Sequence, residues 1–590
     1  MEQENKELLE KRAEYNRLFK AQDYFYVRAA SRANLSEAAF WILYSICDSD
    51  TAWTQSALCK EWYYSKQTIN SAVKKLEKMD FVELKMESGT GNRKVIVLTE
   101  SGRRYCEEEI MPLIQAELDA LAAFSEEERE LLLSLMRRQL EALEERVMEI
   151  KLSDHFTYRR LIRFVMPCVI MMVVTSLYTV IDGFFVSNYA GKMAFAAVNL
   201  IWPFLQLISA AGFMFGSGGS ALTAFVLGTG DEKKANEIFT MLMMVLAVIG
   251  VVISVVGFIF MRQIAVILGA DEYLIDDCVL YGRILICANP LFMMQNAYQS
   301  FLVTAERPRF GLGIAIMAGL INGILDFLLV AVFPLGVWGA GLATALSQIA
   351  GGLIPTIYFM RKNKSRLRFV KTKLDFPALW KACGNGSSEM MTNLSGAVVS
   401  LLYNYQLLRL AAEDGVAAYG AIMYVSFVFT AFHFGYAIGC NPIVGYHYGA
   451  ENEAELKSVL RKSLFLTGAV GLGMTAAAEF LAGPISFVYV GYDPVLCEMT
   501  IRGMKLFGFS FFISGFNIFA SAFFTGLNNG MVSAMISMLR TLVFQVAAVL
   551  LLPLWMELDG IWLSVVAAEA VTLVITAAFF VGNRKKYHYF

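Results

Sequence analysis

Asp182 and Asp326 are carboxylates set inside long apolar stretches that carry no other charge nearby. A carboxylate within a bilayer is costly, and such residues mark ion or substrate sites. Asn322 lies one helical turn before Asp326, so the two share a helix face. Burial disfavours the charged form of a carboxyl group, so proton binding and release at such a site can fall in the working pH range. Protonation removes a charge and lets a helix repack; deprotonation recruits a cation. The plainer alternative is that Asn322 and Asp326 only cap or tether helices. Three further charges sit in apolar surroundings: Glu389 in Gly386-Ser-Ser-Glu, Arg540 and Glu569. An unpaired charge at the centre of a spanning helix costs about 2.5–3.5 kcal/mol on insertion scales. Arg540 is therefore expected to pair with Glu569 or Glu389, and Glu389 is a candidate for a second cation or proton site.

These charges belong to a chain of two contrasting parts. Of 590 residues, 57% are hydrophobic, with mean hydropathy +0.52, more apolar than a soluble chain of this length. Residues 1–155 hold 22 Lys/Arg and 29 Asp/Glu, a net charge of −7; the other 435 hold 28 and 23, a net +5. From Met193 to Gly230 there is no charged residue and no histidine, well beyond the ~20 residues that a spanning helix needs. Twelve such helices are read at 160–188, 193–228, 237–261, 275–305, 310–334, 338–360, 380–409, 415–448, 456–480, 496–527, 530–553 and 558–582. The 2–3, 4–5 and 6–7 loops and the C-terminal Arg584-Lys-Lys are basic, whereas Pro334-Leu-Gly-Val and Pro553-Leu-Trp-Met-Glu-Leu-Asp lack Lys and Arg. The positive-inside rule then puts both termini in the cytoplasm. The two halves repeat, with Gly228 matching Gly449 and Gly339 matching Gly560, both at an offset of 221. Parallel repeats imply a pseudo-twofold axis along the membrane normal, with the substrate path between lobes.

Thr179-Val-Ile-Asp-Gly-Phe-Phe-Val-Ser-Asn, Ala197-Val-Asn-Leu-Ile-Trp-Pro and Gly216-Ser-Gly-Gly-Ser-Ala resemble the MATE multidrug-efflux family. Asn322-Gly-Ile-Leu-Asp-Phe and Ser537-Met-Leu-Arg-Thr-Leu-Val-Phe-Gln extend the likeness, over nearly all of 156–585, toward its DinF-like branch. The resemblance implies that Asp182 and Asp326 share an N-lobe cavity with neighbouring amides and a hydroxyl. Asn322 and Thr344 take those positions, and Gln299 stands where an amide on the fourth helix is expected. The abundance of Met (29) and Phe (44) suits soft packing and cation–π contact with amphipathic cations, although most of these residues face lipid or the bundle core.

The N-terminal part reads as a winged helix-turn-helix. Residues 36–48 form an amphipathic helix with a serine N-cap, a short helix follows at Thr54–Tyr63, and a third starts at Ser65. In the third, Ile69, Ala72, Val73 and Leu76 make a buried stripe, leaving Lys66, Gln67, Thr68, Asn70, Ser71 and Lys74 to face outward. A β-hairpin follows, Val82-Glu-Leu-Lys-Met and Lys94-Val-Ile-Val-Leu-Thr about a Gly89-Thr-Gly-Asn turn. With Leu98-Thr-Glu-Ser-Gly closing the wing, residues 5–150 resemble the MarR regulators. The resemblance implies that the third helix enters the major groove and the wing, with Arg93 and Lys94, reaches the minor groove. Thr90 and Asn92 stand where those regulators carry an acidic residue and an arginine, a departure at the wing tip. MarR-like proteins dimerise through their outer helices, so a homodimer through this domain is expected.

The resulting fold class is an all-α polytopic membrane protein, twelve transmembrane helices in two six-helix pseudo-symmetric lobes, preceded by a soluble α+β winged-helix domain. The domains run 1–154 (winged helix), 155–362 (N-lobe), 363–376 (linker) and 377–590 (C-lobe). Nine scattered cysteines without a C-x-x-C pair, and only four histidines, argue against a zinc site or disulfide framework. No G-x-x-x-x-G-K-[ST] occurs, so an ATP-driven pump is not supported. The expectation is a non-enzymatic antiporter in the plasma membrane of a bacterium. It needs no cofactor beyond a coupling ion, H⁺ or Na⁺. Its partners are small amphipathic cationic substrates, membrane lipids and, through the N-terminal module, DNA. A membrane-embedded ligand-sensing regulator and a flippase of lipid-linked material stay open as alternatives.

Overall fold

The computed structural model describes residues 2–49, 51–86, 94–147, 150–363 and 365–590. The chain forms two compact units, Met1–Val147 and Met148–Phe590. In the first, α1 (Glu2–Arg32), α2 (Glu37–Asp48), α3 (Gln55–Glu61) and α4 (Lys66–Lys78) precede the antiparallel pair β1 (Val82–Met86) and β2 (Lys94–Leu98). Then come α5 (Glu100–Tyr105), a π-helical turn Cys106–Ile110, α6 (Met111–Ala122) and α7 (Glu126–Val147). The π turn leads into Pro112, whose missing N–H breaks the ordinary helical ladder. Phe40, Leu43, Leu58, Ile69, Val73, Leu76, Ile96 and Ile110 form the core. A single backbone hydrogen bond from Ile96 N–H to the Trp53 carbonyl (2.8 Å) takes the place of a third strand. Ser36 occupies the N-cap of α2 but makes no side-chain cap bond, whereas Thr54 and Ser65 accept from the amides of Ala57 and Thr68 at the starts of α3 and α4.

The second unit contains α8 (Tyr158–Phe185), α9 (Lys192–Gly228), α10 (Glu232–Ile267), α11 (Ile275–Thr304), α12 (Pro308–Asp326), α13 (Gly336–Met360), α14 (Phe376–Gly449), α15 (Glu453–Val490), α16 (Pro494–Gly526), α17 (Gly530–Met538), α18 (Phe544–Leu551) and α19 (Pro553–Tyr587). Eleven continuous helical segments among the described residues are long and apolar enough to cross a membrane. One of them, α14, has 74 residues. At 1.5 Å per residue it would be about 110 Å long, several times a hydrocarbon core of about 30 Å. Its non-helical Ala411 and Ala412 divide it into two, giving the expected twelve spans. Twelve crossings satisfy the backbone internally, as a bilayer requires.

The internal repeat is visible as geometry. Asp231 caps α10 by accepting from Lys234 N–H (2.9 Å), and Asn452, 221 residues on, caps α15 by accepting from Glu455 N–H (3.1 Å). The glycines that end α9 and α14 meet their opposite numbers reciprocally. A Cβ on Gly228 would collide with the Tyr446 carbonyl, and one on Gly449 with the Phe225 carbonyl. Phe225 and Tyr446 are themselves 221 apart. The lobes therefore touch backbone to backbone at the end of the bundle that the positive-inside rule assigns to the cytoplasm. Small residues permit such close approach between membrane helices.

Residues 150–157 lie across this same end as a non-helical strap. Leu152 and Phe156 are fully buried in its core with Ile443, Phe523 and Phe524. Leu152 N–H donates to Glu306 of the N-lobe (2.8 Å), and Arg366 approaches the same carboxylate at 3.4 Å. Phe156 N–H donates to Glu455 of the C-lobe (2.8 Å), whose other oxygen is 2.5 Å from His155 Nδ1; Lys462 Nζ donates to the Phe156 carbonyl. One short segment thus bonds to both lobes.

Enlarging either repeat glycine should wedge the lobes apart. Gly228→Val and Gly449→Val are each expected to cost about 1–3 kcal/mol, as overpacking does, read as a lowered thermal unfolding midpoint of the purified protein. Gly396→Ala, where a Cβ meets nothing within 4 Å, should leave that midpoint unchanged or raise it.

Candidate functional site

Within the N-lobe, α8 carries Asp182, α12 carries Asn322 and Asp326, and α13 carries Thr344. The packing of these helices brings all four side chains together: Asp182 is in electrostatic contact with Asp326, Asn322 and Thr344. Asp326 and Asn322 are 0% and 1% exposed. Both carboxylate oxygens of Asp326 and both amide atoms of Asn322 are buried without a hydrogen-bond partner. Thr344 Oγ1 donates to the Ala340 carbonyl at 3.0 Å and, more distantly, to Asp182 Oδ1 at 3.5 Å. No salt bridge to either aspartate occurs among the described residues. Buried polar atoms normally find partners; a group this under-satisfied fits a place where a proton, a metal cation or a charged ligand completes the set. The donors are all hard oxygens, which suits a proton or an alkali cation and does not suit a soft metal. Among the described residues no group of three or more His, Cys, Asp or Glu side chains could hold a metal ion.

Both aspartates stand at a change of helical register. Asp182 is followed by the π-helical turn Val186–Ala190, and Asp326 by the π-helical stretch Phe327–Val332. A third π turn, Leu539–Val543, contains Arg540. Such bulges are rare and gather at functional sites. Tyr281 on α11, 1% exposed, completes the N-lobe cluster beside Asp182, Asp326 and Thr344. Sequence reasoning missed it, because a tyrosine in Leu280-Tyr-Gly-Arg carries no local signal of a polar neighbour.

Gln299 is not in this cluster. It lines a cavity of about 210 Å³ that also receives Ser217 of α9 and Glu389 and Asn441 of α14. That cavity lies between the lobes. Asn441 Nδ2 donates across it to the Ser217 carbonyl at 3.2 Å, while Asn441 Oδ1 and Gln299 Oε1 are buried without partners. Met172 and Phe213 add apolar wall. Apolar sides with a few convergent polar groups are the make-up of a small-molecule site, and here a single carboxylate supplies the charge. Behind it Arg540, 7% exposed, places Nε 3.7 Å from Glu569 Oε1. Glu569 is gripped by Asn517, whose Nδ2 donates to its side chain at 2.7 Å and to its carbonyl at 2.9 Å.

On α4 the buried stripe is Ile69, Ala72, Val73 and Leu76. Lys66, Gln67, Thr68, Asn70, Ser71 and Lys74 are all exposed on the other face, although Thr68 Oγ1 is shared with Ser65 Oγ at 2.7 Å. Lys94 is exposed at the start of β2; Arg93, Thr90 and Asn92 at the wing tip lie outside the described residues. Glutamine, asparagine and serine can read base edges, and lysines hold phosphates.

Comparison with known proteins agrees with this division. The family model MatE matches residues 167–328 and 389–575, and a MarR family model matches residues 33–93. The chain is 24% identical over 465 residues to "Probable multidrug resistance protein YoeA" of Bacillus subtilis (strain 168), covering 76% of this chain and 99% of that one. It is 25% identical over 374 residues to "Multidrug export protein MepA" of Staphylococcus haemolyticus (strain JCSC1435), covering 61% and 80%. Among solved structures, "Outward-facing conformation of a multidrug resistance MATE family transporter of the MOP superfamily" superposes with a TM-score of 0.69 at 21% identity, covering 74% of this chain and 97% of that one. "Crystal structure of MATE in complex with MaL6" does so with the same score and coverage at 20% identity.

Asp326→Asn should stabilise the fold. Exchanging a buried carboxylate that has no partner for its neutral isostere is expected to gain about 1–3 kcal/mol, seen as a raised thermal unfolding midpoint in the purified protein. A lowered midpoint would show that Asp326 is a structural tether.

Proposed function

Because this chain belongs to the MatE family of multi-pass membrane transporters, we propose that it is a secondary antiporter exporting small amphipathic organic cations in exchange for H⁺ or Na⁺. The observation that carries this reading is the Asp182–Asp326 pair, two neighbouring carboxylates without a counter-charge among the described residues inside membrane-crossing helices. The names of the relatives, multidrug resistance and multidrug export proteins of bacteria, support a drug-type cargo. The carboxylate pair in the N-lobe favours a DinF-like branch, loop charge favours both termini being cytoplasmic, and the bacterial relatives favour a bacterial plasma membrane.

Two carboxylates this close do not both stay ionised without help, so the pair takes up a proton or a Na⁺ ion. Asp326, Asn322, Asp182 and Thr344 offer oxygens to either. Loading the pair removes the repulsion between α8 and α12 and permits repacking at the π turns that follow both aspartates. The duplicated lobes then rock about the midplane, opening the inter-lobe cavity to one side at a time. In that cavity Glu389 supplies charge, Gln299 and Asn441 supply hydrogen bonds, and Met172 and Phe213 supply soft apolar contact. The cavity has a volume of about 210 Å³, below the usual ligand-site range of about 300–1,000 Å³, so a larger cargo needs the lobes to move apart.

The second unit of function is DNA binding by the winged helix, favoured by the polar and basic face of α4. Dimerisation through the outer helices would match a palindromic site; exposed Leu9, Tyr15, Leu18 and Phe19 on α1 and Leu131, Leu132, Leu133 and Leu135 on α7 offer the surface.

Efflux of a fluorescent organic cation from membrane vesicles, driven by an imposed ΔpH or Na⁺ gradient, tests the antiporter. Wild type is expected to transport under one gradient, and Asp182→Asn and Asp326→Asn to lose at least about tenfold of the rate, or 1.4 kcal/mol. Absence of flux under both gradients would turn the reading toward a membrane-embedded sensor. For the winged helix, the full-length protein in nanodiscs should bind a palindromic duplex selected from a random pool. Gln67→Ala and Asn70→Ala should relax its sequence preference by about 1–3 kcal/mol. Lys66→Ala should weaken all sequences alike and lower the salt slope by about one.

A further inference from the structure

Behind the inter-lobe cavity the C-lobe holds three charged groups whose numbers do not balance. Glu389 on α14 lines the cavity and Glu569 on α19 does not, and both feel the charge of Arg540. With both carboxyl groups ionised, the set is one positive charge short of neutral. Their holdings differ sharply. Glu569 is fixed: Asn517 grips it twice, and Thr576 Oγ1 in turn donates to Asn517 Oδ1 at 2.9 Å. Asn517, Thr572 and Thr576 around it are 0–2% exposed. Arg540 is held loosely, making no hydrogen bond among the described residues and a single carboxylate approach at 3.7 Å. It also rides on the π turn Leu539–Val543, whose extra residue lets a side chain rotate about the helix axis when the turn relaxes. His433 on α14 also feels Arg540 and sets its Nε2 3.2 Å from the Phe511 carbonyl.

We propose that Arg540 is a built-in counter-cation that sets the affinity of the inter-lobe cavity. It is shared between Glu569, which holds it back, and Glu389, which it would otherwise neutralise. A monovalent organic cation entering the cavity pairs with Glu389 and leaves Arg540 to Glu569. When the cargo departs, the guanidinium swings toward Glu389 and keeps the empty cavity from retaining a buried, unpaired carboxylate, which would be costly. Arg540 is thus a positioning residue with a consequence for selectivity. One positive charge is missing from the set, so a monocation is matched, a dication brings one charge too many, and an anion is repelled by Glu389. The proposal rests on the reading of the cavity as a cation site.

Equilibrium binding of radiolabelled tetraphenylphosphonium to the full-length protein in nanodiscs, with no gradient imposed, tests it apart from transport. Glu569→Gln keeps an oxygen for Asn517 to hold and releases Arg540 to Glu389; it is expected to weaken binding about tenfold although Glu569 does not touch the cavity. Arg540→Gln/Glu569→Gln removes the released guanidinium and should restore affinity to the wild-type level or better. A merely structural role for the pair predicts the opposite, a double variant no tighter than Glu569→Gln, and that result overturns the proposal. So does unchanged affinity in Glu569→Gln. Absence of any wild-type binding would overturn the cation-site reading itself, and with it the role of Arg540. A wild type that binds and transports while the Glu569 variants behave as a structural pair would sink only the latter.

Discussion

The bilayer offers no water to a buried charge, and the rest of this structure is arranged around that constraint. The apolar crossing segments of the membrane unit are helical, because in the hydrocarbon nothing but the chain itself can satisfy their backbone groups. Against that background a carboxylate such as Asp326, fully buried with neither oxygen hydrogen-bonded, stands out, and it is the observation on which the proposed coupling site rests. The surroundings are consistent with this. Asn322 beside it is equally unsatisfied, and Thr344 reaches Asp182 only at 3.5 Å while donating to its own helix at 3.0 Å. A site meant only to tether helices would close these bonds, as Asn517 and Thr576 do around Glu569.

The same constraint explains why the helices bearing charge are irregular. A register change follows Asp326 directly and Asp182 one helical turn on, and another encloses Arg540. A π turn frees backbone groups and redirects the side chains beyond it, so a regular helix is given up at the places where charge must be accommodated or moved. The lobes themselves are joined by the opposite device, a rigid one. Gly228 and Gly449 let two backbones meet across the pseudo-twofold axis, and residues 150–157 bond to Glu306 on one side of that axis and Glu455 on the other. Opening the bundle at this end requires breaking a glycine contact and releasing the strap from at least one lobe.

Much of this was legible in the residues. Unbroken apolar runs such as Met193–Gly230 announce spanning helices, and the offset of 221 between Gly228 and Gly449 announces paired lobes; the capping of α10 by Asp231 and α15 by Asn452 keeps the same offset. The stripe Ile69, Ala72, Val73 and Leu76 placed the exposed face of α4. The seventh and eighth spans, read as 380–409 and 415–448, run as one helix whose non-helical Ala411 and Ala412 fall inside the gap between them, so the division was legible although the chain makes no loop there. Where the reading was less sharp, the reason is physical. Gln299 lines the inter-lobe cavity beside Glu389 and also a small cavity within the N-lobe; the two faces of one apolar helix look alike in sequence, so this placement was not legible there.

What the sequence determined by itself was what is local or periodic: which segments cross, that they are duplicated, where charges are stranded, and the presence of a MarR-like module. Hydropathy and spacing depend on neighbours along the chain, and they suffice for that. Which stranded charges meet was decided by tertiary structure alone. Lipid is as apolar as the helix surfaces, so association follows from close packing and polar contacts among many near-equivalent faces. Only the packed arrangement puts Asp182 beside Asp326 and Thr344, sets Arg540 Nε 3.7 Å from Glu569 Oε1, and lays residues 150–157 across both lobes.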